Sequence, residues 1–467
     1  MNDSRRILDE VISRLERLPV SWFSYKLLLL LMPAWIVESY DIGIIGATIA
    51  VIKPLWMPTA TAIATLAVAS TVAIAIGLIP SGLLTDRFGR RKMLIGGLIW
   101  FSVFTGLGGL APNIELLTLS RFLAGLGLGA VFPLPYIFLA EFMAATTRAK
   151  FVGYLNGLLT AAYLVPPLTA VYLLGHYPHA VAWRLLYFIA FIPLAYAALL
   201  LFKLPESPRW LASRGKEQEA LHLIEKIEAE TIAYTKRPLP APVRINRDAA
   251  VSAHRPSDIF KAPLLRRTMV VWFAFFGTLP VFYALLTFAP TLMVAQGFQL
   301  AKSLQFVALL QLAGGIGGLV QGIMGDKVGR RPMIITYAGV ASIGVLGLAF
   351  GHSVPVLLTA GLLVGFFGLG IFPVVKLYVA EQYPTDIRGF GSGMTESFGR
   401  LLGGVAFIYA VPFIARAGGT QLVIITVAIL LAGATFIPVL LFGQETRNAN
   451  IDASQEPLAA GPVAGPV

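Results

Sequence analysis

Residues 82–91 read GLLTDRFGRR, lie between two apolar runs, and return in altered form as GIMGDKVGRR at residues 322–331. Aligning Asp86 with Asp326 sets an offset of 240 positions (326 − 86). The same offset carries Arg90 onto Arg330, Pro133 onto Pro373, Glu141 onto Glu381, Arg148 onto Arg388 and Gly153 onto Gly393. One half of the chain therefore repeats the other, and the fold has to be two copies of one unit.

Of 467 residues, 57% are apolar and 13% charged, with a mean hydropathy of +0.77. Soluble globular chains are nearer ~45–50% apolar, so this is the composition of a membrane protein whose surroundings are the lipid bilayer. The absence of cysteine excludes structural disulfides, thiolate catalysis and Cys-ligated metals, and leaves the compartment open. Five scattered histidines offer no metal-ligand spacing, and no nucleophile or phosphate-binding constellation emerges. Neither an enzyme nor a cofactor or metal is expected.

The net charge of +12 has a pattern. Basic residues cluster at Arg87, Arg90, Arg91 and Lys92, at Arg148 and Lys150, through a long central loop, at Lys327, Arg330 and Arg331, at Arg388 and at Arg447. The intervening loops hold isolated cations such as Lys53, Lys302 and Arg416. This alternation is the positive-inside rule; it places both termini and the long loop in the cytoplasm of a multi-pass protein of the cell membrane. It also explains the basicity without nucleic acid as a partner. A monomer is expected.

At about 20 residues per span, apolar segments fall near 27–52, 61–84, 95–111, 115–139, 151–174 and 184–203, and again near 268–294, 303–324, 332–350, 355–379, 393–414 and 420–442. The fold class is thus an all-α membrane protein of twelve transmembrane helices in two pseudo-symmetric six-helix bundles, 27–203 and 268–443. Parallel halves related by an axis along the membrane normal have this topology. Residues 1–26 place Leu8, Val11, Ile12, Leu15 and Leu18 on one helical face among charges of both signs, and read as an interfacial cytoplasmic helix rather than a signal peptide. The loop 204–267 opens with PESPRWL, continues through a charged helical run at 216–230 and ends in proline-rich text, the pattern of a cytoplasmic linker with one or two amphipathic helices. Residues 444–467 have the composition of a disordered tail. Gly125, Gly127 and Gly129 sit in an apolar helix with no strand before them, so they read as close helix packing and not as a dinucleotide fingerprint.

The two copies of GxxxD(R/K)xGRR, the run RFLAGLGLG at 121–129, PESPRWL after the sixth span and AEQYPTDIRG at 380–389 together resemble the major facilitator superfamily, over a stretch from about Leu27 to Gly443. Within it they are similar to the sugar porters and their metabolite:proton symporter relatives, including nicotinate-type carriers and the synaptic-vesicle-glycoprotein-like branch. Span seven carries FAFFGTLPVFYA at 273–284 in place of the paired-glutamine motif of sugar porters, and GQETR at 443–447 stands where they have PETKG. The start Glu38-Ser-Tyr-Asp41 and the pair Gly399-Arg400 look more like the metabolite-carrier side.

The repeat separates the charges into two classes. Asp86/Asp326, Arg90/Arg330, Arg91/Arg331, Glu141/Glu381 and Arg148/Arg388 recur in both halves, at helix ends where a carboxylate can pair with arginine and stabilise a helix N-terminus. The resemblance implies that this network latches the halves together on the cytoplasmic side; the alternative is a topogenic basic loop. Other membrane charges have no counterpart: Asp41 aligns with Val281, Arg121 with Gly361, Lys376 with Tyr136, Glu396 with Asn156 and Arg400 with Thr160. A charge at membrane depth costs about 2.5–3.5 kcal/mol even on the lenient insertion scale, so these are candidates for function.

Asp41 lies in the first span with Glu38 three residues earlier on the same face. By resemblance to the sugar-porter helix, Asp41 carries the proton and Arg121, which opens the RxxxGxGxG run, is its partner. At 1.5 Å per residue Asp41 lies ~16 Å and Arg121 ~9 Å from the outer surface, a gap an arginine side chain can bridge. Desolvation favours the neutral acid and Arg121 favours the carboxylate, so parting the pair favours protonation, and protonation releases the arginine. A static buried ion pair is the other reading. Lys376 and Glu396 read as a local pair or inner gate, ahead of substrate contact. Arg400, with Tyr163, Tyr283, Phe367 and Gln311, forms the candidate substrate pocket, where Arg400 could receive a carboxylate. The function expected is secondary active transport of a small organic metabolite, an organic or aromatic acid, with protons by alternating access. A sugar or polyol is the second reading, and a non-transporting receptor or scaffold on the same fold is the rival of another class.

Overall fold

A computed structural model describes residues 2–242, 255–295, 299–351, 353–384 and 387–446. The tail expected to be disordered lies, from 447 onward, outside the described residues, as does the part of the linker over 243–254. Nine helical stretches among the described residues are long and apolar enough to cross a membrane. The last of these, Phe390–Phe442, runs for 53 residues, about two spans' worth, and non-helical dihedrals at Gly418 and Gly419 fold it into spans eleven and twelve. Arg90–Gly108 is span three, and Ala145–Ala162 with Val165–His176 forms span five around a turn before Pro166 and Pro167. Twelve spans result: spans one, two, four and six are Trp22–Trp56, Ala60–Phe88, Ile114–Phe142 and His179–Lys203. Spans seven to ten are Leu264–Thr291, Leu300–Val328, Arg330–Phe350 and Pro355–Glu381.

The repeated motif marks two sharp corners. Gly89 (φ +100°) and Gly329 (φ +116°) join spans two to three and eight to nine in a backbone region that L side chains rarely adopt, and a Cβ at either would collide with the carboxylate of Glu206 or Glu445. Within the first bundle, Gly125 and Gly129 let span four approach the backbone of span two at Ser70 and Gly77, while Gly127 lies against Gly97 and Phe101 of span three. Four π-helical segments, Ala284–Phe288, Val364–Leu369, Arg400–Ala406 and Leu431–Phe436, all lie in the second half among the described residues. Each turns the following face relative to a regular helix, a feature frequent at functional sites.

The halves meet towards the end opposite the repeated motif. Gly46 of span one leaves no room for a side chain against the Leu286 carbonyl of span seven. Thr65 bonds the Tyr409 hydroxyl at 3.0 Å, and Thr71 that of Tyr283 at 3.3 Å. At the motif end, the ion pairs among the described residues each join groups of one half.

The N-terminal helix, Asn2–Glu16, differs from the interfacial helix expected of its apolar stripe. Val11 and Leu15 are fully buried against Leu211, Ala212, Ala220 and Ile224 of the linker helices Pro208–Ser213 and Glu217–Thr235. The stripe has a partner within the chain, so its apolar face is covered by protein rather than left for lipid. Arg14 and Arg17 clamp the pairing by donating to Glu228, each with a contact of 2.6 Å. Burial alone pushes the Glu228 carboxyl up, but the hydrogen bonds from Arg14 and Arg17 outweigh it and hold the carboxyl below the usual carboxylate range. A depressed folded-state value contributes stability that is present above the unfolded-chain value and lost as pH falls through the folded one. Acidification below about pH 4, or Glu228→Gln at neutral pH, is expected to release the helix. The readout is hydrogen exchange over residues 8–16, faster by on the order of tenfold with the spans unchanged; unaltered exchange would show that the clamp contributes nothing.

Candidate functional site

Two charged centres lie at membrane depth. In the first, within the N-terminal bundle, the Arg121 guanidinium donates to Asp41 Oδ1 in a close contact and through Nη2 to the Asp41 backbone carbonyl at 2.9 Å. Asp41 is 0% and Arg121 2% exposed. Ser70 steadies the arginine's helix by donating to the Arg121 carbonyl at 3.0 Å. A carboxylate and a guanidinium sealed in this way are each tolerable because the other is present.

Glu38 does not join that pair. Three residues span about 300° of helix turn, which sets Glu38 about 60° round from Asp41 and one turn nearer the motif end. It faces instead into a cavity between the bundles, 3% exposed, with Oε2 lacking a hydrogen-bond partner. The same cavity is lined by Tyr163, Tyr283, Gln311 and Arg400, four residues that the sequence grouped. Gln311 is 2% exposed and its Nε2 has no partner. Tyr163 and Phe282 meet edge to face across the halves at 5.2 Å.

Lys376 and Glu396, expected as a local pair or inner gate, lie within ion-pair distance of each other and also line this cavity. Glu396 Oε1 receives Arg400 Nη2 at 3.0 Å and lies 3.8 Å from Lys376 Nζ. Arg400 and Glu396 are one turn apart at the entry to the π-helical segment Arg400–Ala406, so both point the same way. Beneath the two cations lies Phe132 of span four, 4.8 Å from the Arg400 guanidinium carbon and 5.2 Å from Lys376 Nζ. Phe132 sits where span four turns before Pro133, and nothing in the linear pattern marked it.

Phe367 is the other correction. It packs on Tyr337 at 4.9 Å and Phe366 at 4.8 Å, towards span nine and away from the cavity. It lies in the π-helical segment Val364–Leu369, and Leu369, Phe372 and Phe275 supply the apolar wall in its place.

The repeated charges form matching clusters at one end of each bundle. Arg90 Nε donates to Glu141 at 2.9 Å and its Nη2 lies 3.1 Å from Asp86; Arg330 lies 3.3 Å from Glu381. Arg91 caps the Leu201 carbonyl and Arg331 donates to that of Leu440 at 2.7 Å. Arg148 donates to the Met143 carbonyl at 3.2 Å and to Glu16 at 3.4 Å, and Arg388 to the Tyr383 carbonyl at 3.4 Å. The N–H groups that open spans three and nine are held by two glutamates outside the repeated set. Glu206 Oε1 accepts from the N–H of Arg90 (3.0 Å), Arg91 (3.1 Å) and Ser207 (3.0 Å). Glu445 accepts from those of Arg330 (2.9 Å), Arg331 (3.1 Å) and Thr446 (3.0 Å). Burial pushes the Glu206 carboxyl above the usual range, against these N–H bonds. The Asp86 side chain is 68% exposed, and that of Asp326 lies outside the described residues. The signal for the two glutamates was present, at an offset of 239 (445 − 206), one short of the repeat.

The helical geometry and the repeat agree with what comparison finds. The model of the Major Facilitator Superfamily matches residues 20–327 and 307–464. The niacin transporter NiaP of Acinetobacter baylyi is 28% identical over 446 residues, covering 95% of this chain and 99% of its own. The benzoate transport protein of the same organism is 26% identical over 392 residues, 81% of each chain. Among solved structures, the partially occluded, inward-open xylose transporter XylE of E. coli shares the fold with a TM-score of 0.73 at 18% identity, over 92% of this chain and 100% of that one. With both halves matched, each carrying its GRR corner and its arginine–glutamate cluster, this chain belongs to the Major Facilitator Superfamily of membrane transporters.

Proposed function

We propose that the protein imports a small aromatic or other organic monocarboxylate together with a proton, by alternating access to the cavity between its bundles. The observation that carries the reading is the cavity's charge set: Arg400 and Lys376 over Phe132, balanced by Glu396 and Glu38. Arg400 Nε lacks a hydrogen-bond partner, and a guanidinium is the side chain best shaped to receive a carboxylate. Phe132, Phe282 and Phe372 suit an aromatic ring. Two acids and two bases balance in formal charge, so an entering carboxylate brings one uncompensated negative charge to a largely buried site, and an accompanying proton removes it. Asp41 with Arg121 is the coupling pair, and Glu38 is the acid within the cavity that adjusts to the substrate. The names of similar proteins support this class: niacin, benzoate and 4-hydroxybenzoate are what those relatives carry. One relative is an arabinose-proton symporter, but four charged groups in one small cavity suit an acid better than a sugar.

In the same reading the repeated clusters form the cytoplasmic gate, both termini and the 204–267 linker are cytoplasmic, and the chain works as a monomer in the cell membrane. Residues 27–203 and 268–443 are the moving bundles, flanked by the 1–26 segment and the 444–467 tail. The test is uptake by purified protein in liposomes, with nicotinate, benzoate, 4-hydroxybenzoate and arabinose as substrates. Accumulation of an aromatic acid above its external concentration under an inward proton gradient, abolished by a protonophore, is the expected result. Preference for arabinose, or ligand binding with no uptake of any compound, would overturn it.

A further inference from the structure

Away from the central cavity, a groove opens where the motif-side ends of spans one and six meet the linker helix Glu217–Thr235. One wall is Phe23, Lys26, Leu27 and Leu30 of span one; the other is Leu223, Lys226, Ile227 and Glu230 of the linker helix. Both sets follow the i, i+3, i+4, i+7 spacing of one helix face, so two amphipathic stripes oppose each other. Lys203, in the last turn of span six, closes the groove. Three elements remote in sequence thus bring their lysines to one apolar floor.

Those lysines are poorly neutralised. Lys203 and Lys226 are exposed and have no ion-pair partner among the described residues. Lys26 is 3.9 Å from Glu230, the acid that lines the groove, a separation too long for a hydrogen bond. Arg91, held at the Leu201 carbonyl, adds a further positive charge two residues before Lys203. A second observation fixes what kind of surface this is. Trp22 is 55% and Phe202 84% exposed, each one residue from a lining side chain. An exposed tryptophan beside a lysine-lined groove marks the boundary between hydrocarbon and water.

We propose that this groove binds an anionic phospholipid, its phosphate among Lys26, Lys203 and Lys226 and one acyl chain along the partly exposed Phe23 and Leu30. A lysine requires only a point anion, without the two-pronged geometry that arginine favours, and phosphate supplies that anion. The apolar stripe is what a soluble phosphate would leave unused. Basic pockets between helices at a membrane surface recognise anionic headgroups in this way, each cation near the surface contributing roughly a fivefold factor in affinity. Bound there, the lipid bridges span one, span six and the linker helix that holds Asn2–Glu16.

The full-length protein, purified in a neutral detergent, provides the test through thermal unfolding and native mass spectrometry. Phosphatidylglycerol is expected to raise the unfolding temperature and to remain bound as one retained lipid, whereas phosphatidylcholine and soluble glycerol 3-phosphate do neither. The Lys26→Gln/Lys203→Gln/Lys226→Gln variant should lose about 100-fold in phosphatidylglycerol affinity. The Lys53→Gln/Lys302→Gln/Arg416→Gln variant, with the same change in net charge, should keep it. Glu230→Gln, which removes the lining acid, should bind more tightly. Stabilisation by glycerol 3-phosphate to the same degree would make this a soluble-phosphate site. Equal binding of the two lipids, or equal losses in the two triple variants, would leave only general surface charge; each of these results overturns the proposal.

Discussion

Arg400→Gln is expected to lower kcat/KM for uptake of an aromatic carboxylate by about 10- to 100-fold, the loss of one charge-assisted hydrogen bond to substrate. The change falls in the cavity and spares the fold, because Glu396 keeps Lys376 at 3.8 Å as a counter-ion. Arg400→Lys should land between wild type and Arg400→Gln, since it retains the charge over Phe132 and loses the planar fork. Proteoliposome uptake across a series of substrates measures this directly. The carboxamide analogue of the substrate provides the contrast: if Arg400 receives the carboxylate, the preference for acid over amide collapses in the variant. An Arg400→Gln protein that still distinguishes acid from amide as wild type does would remove Arg400 from the binding site.

Asp41→Asn has the second large effect, and it is of a different kind. Without an acid at position 41 there is no group to take up a proton when the pair with Arg121 parts, so accumulation driven by a pH gradient should vanish while exchange of labelled for unlabelled substrate persists. The substitution also strands a guanidinium that is 2% exposed, at a cost on the order of 3–5 kcal/mol in stability. The double variant Asp41→Asn/Arg121→Gln removes both charges and should recover thermal stability without recovering accumulation. That split separates coupling from a merely structural ion pair, which would regain both. Accumulation by Asp41→Asn under a pH gradient alone would refute the assignment.

The fold was legible because its determinants run along the chain. Span length, the alternation of basic loops and the 240-residue offset are all one-dimensional, and bilayer thickness turns them into helices. Breaks in the repeat pointed to Asp41, Arg121 and Arg400, since a buried charge that only one half carries is unexplained by architecture. The same signals were blind to facing. Glu38 and Asp41 share a helix yet serve separate centres, and Phe367 lies among cavity-lining spans yet turns to Tyr337. Glu206 and Glu445 slipped past a strict offset by one residue.

The sequence by itself determined the number of spans, the two-fold repeat and the identity of the charges that need an explanation. Only the tertiary structure decided that Lys376, Glu396 and Glu38 share a cavity with Arg400, that both cations rest on Phe132 from the other half, and that the N-terminal stripe is spent on the linker helices. The reason is geometric. Hydropathy records how deep a residue lies, but which neighbour it meets depends on helix rotation, here altered by π-helical turns at 364–369 and 400–406, and on packing between segments some 240 residues apart.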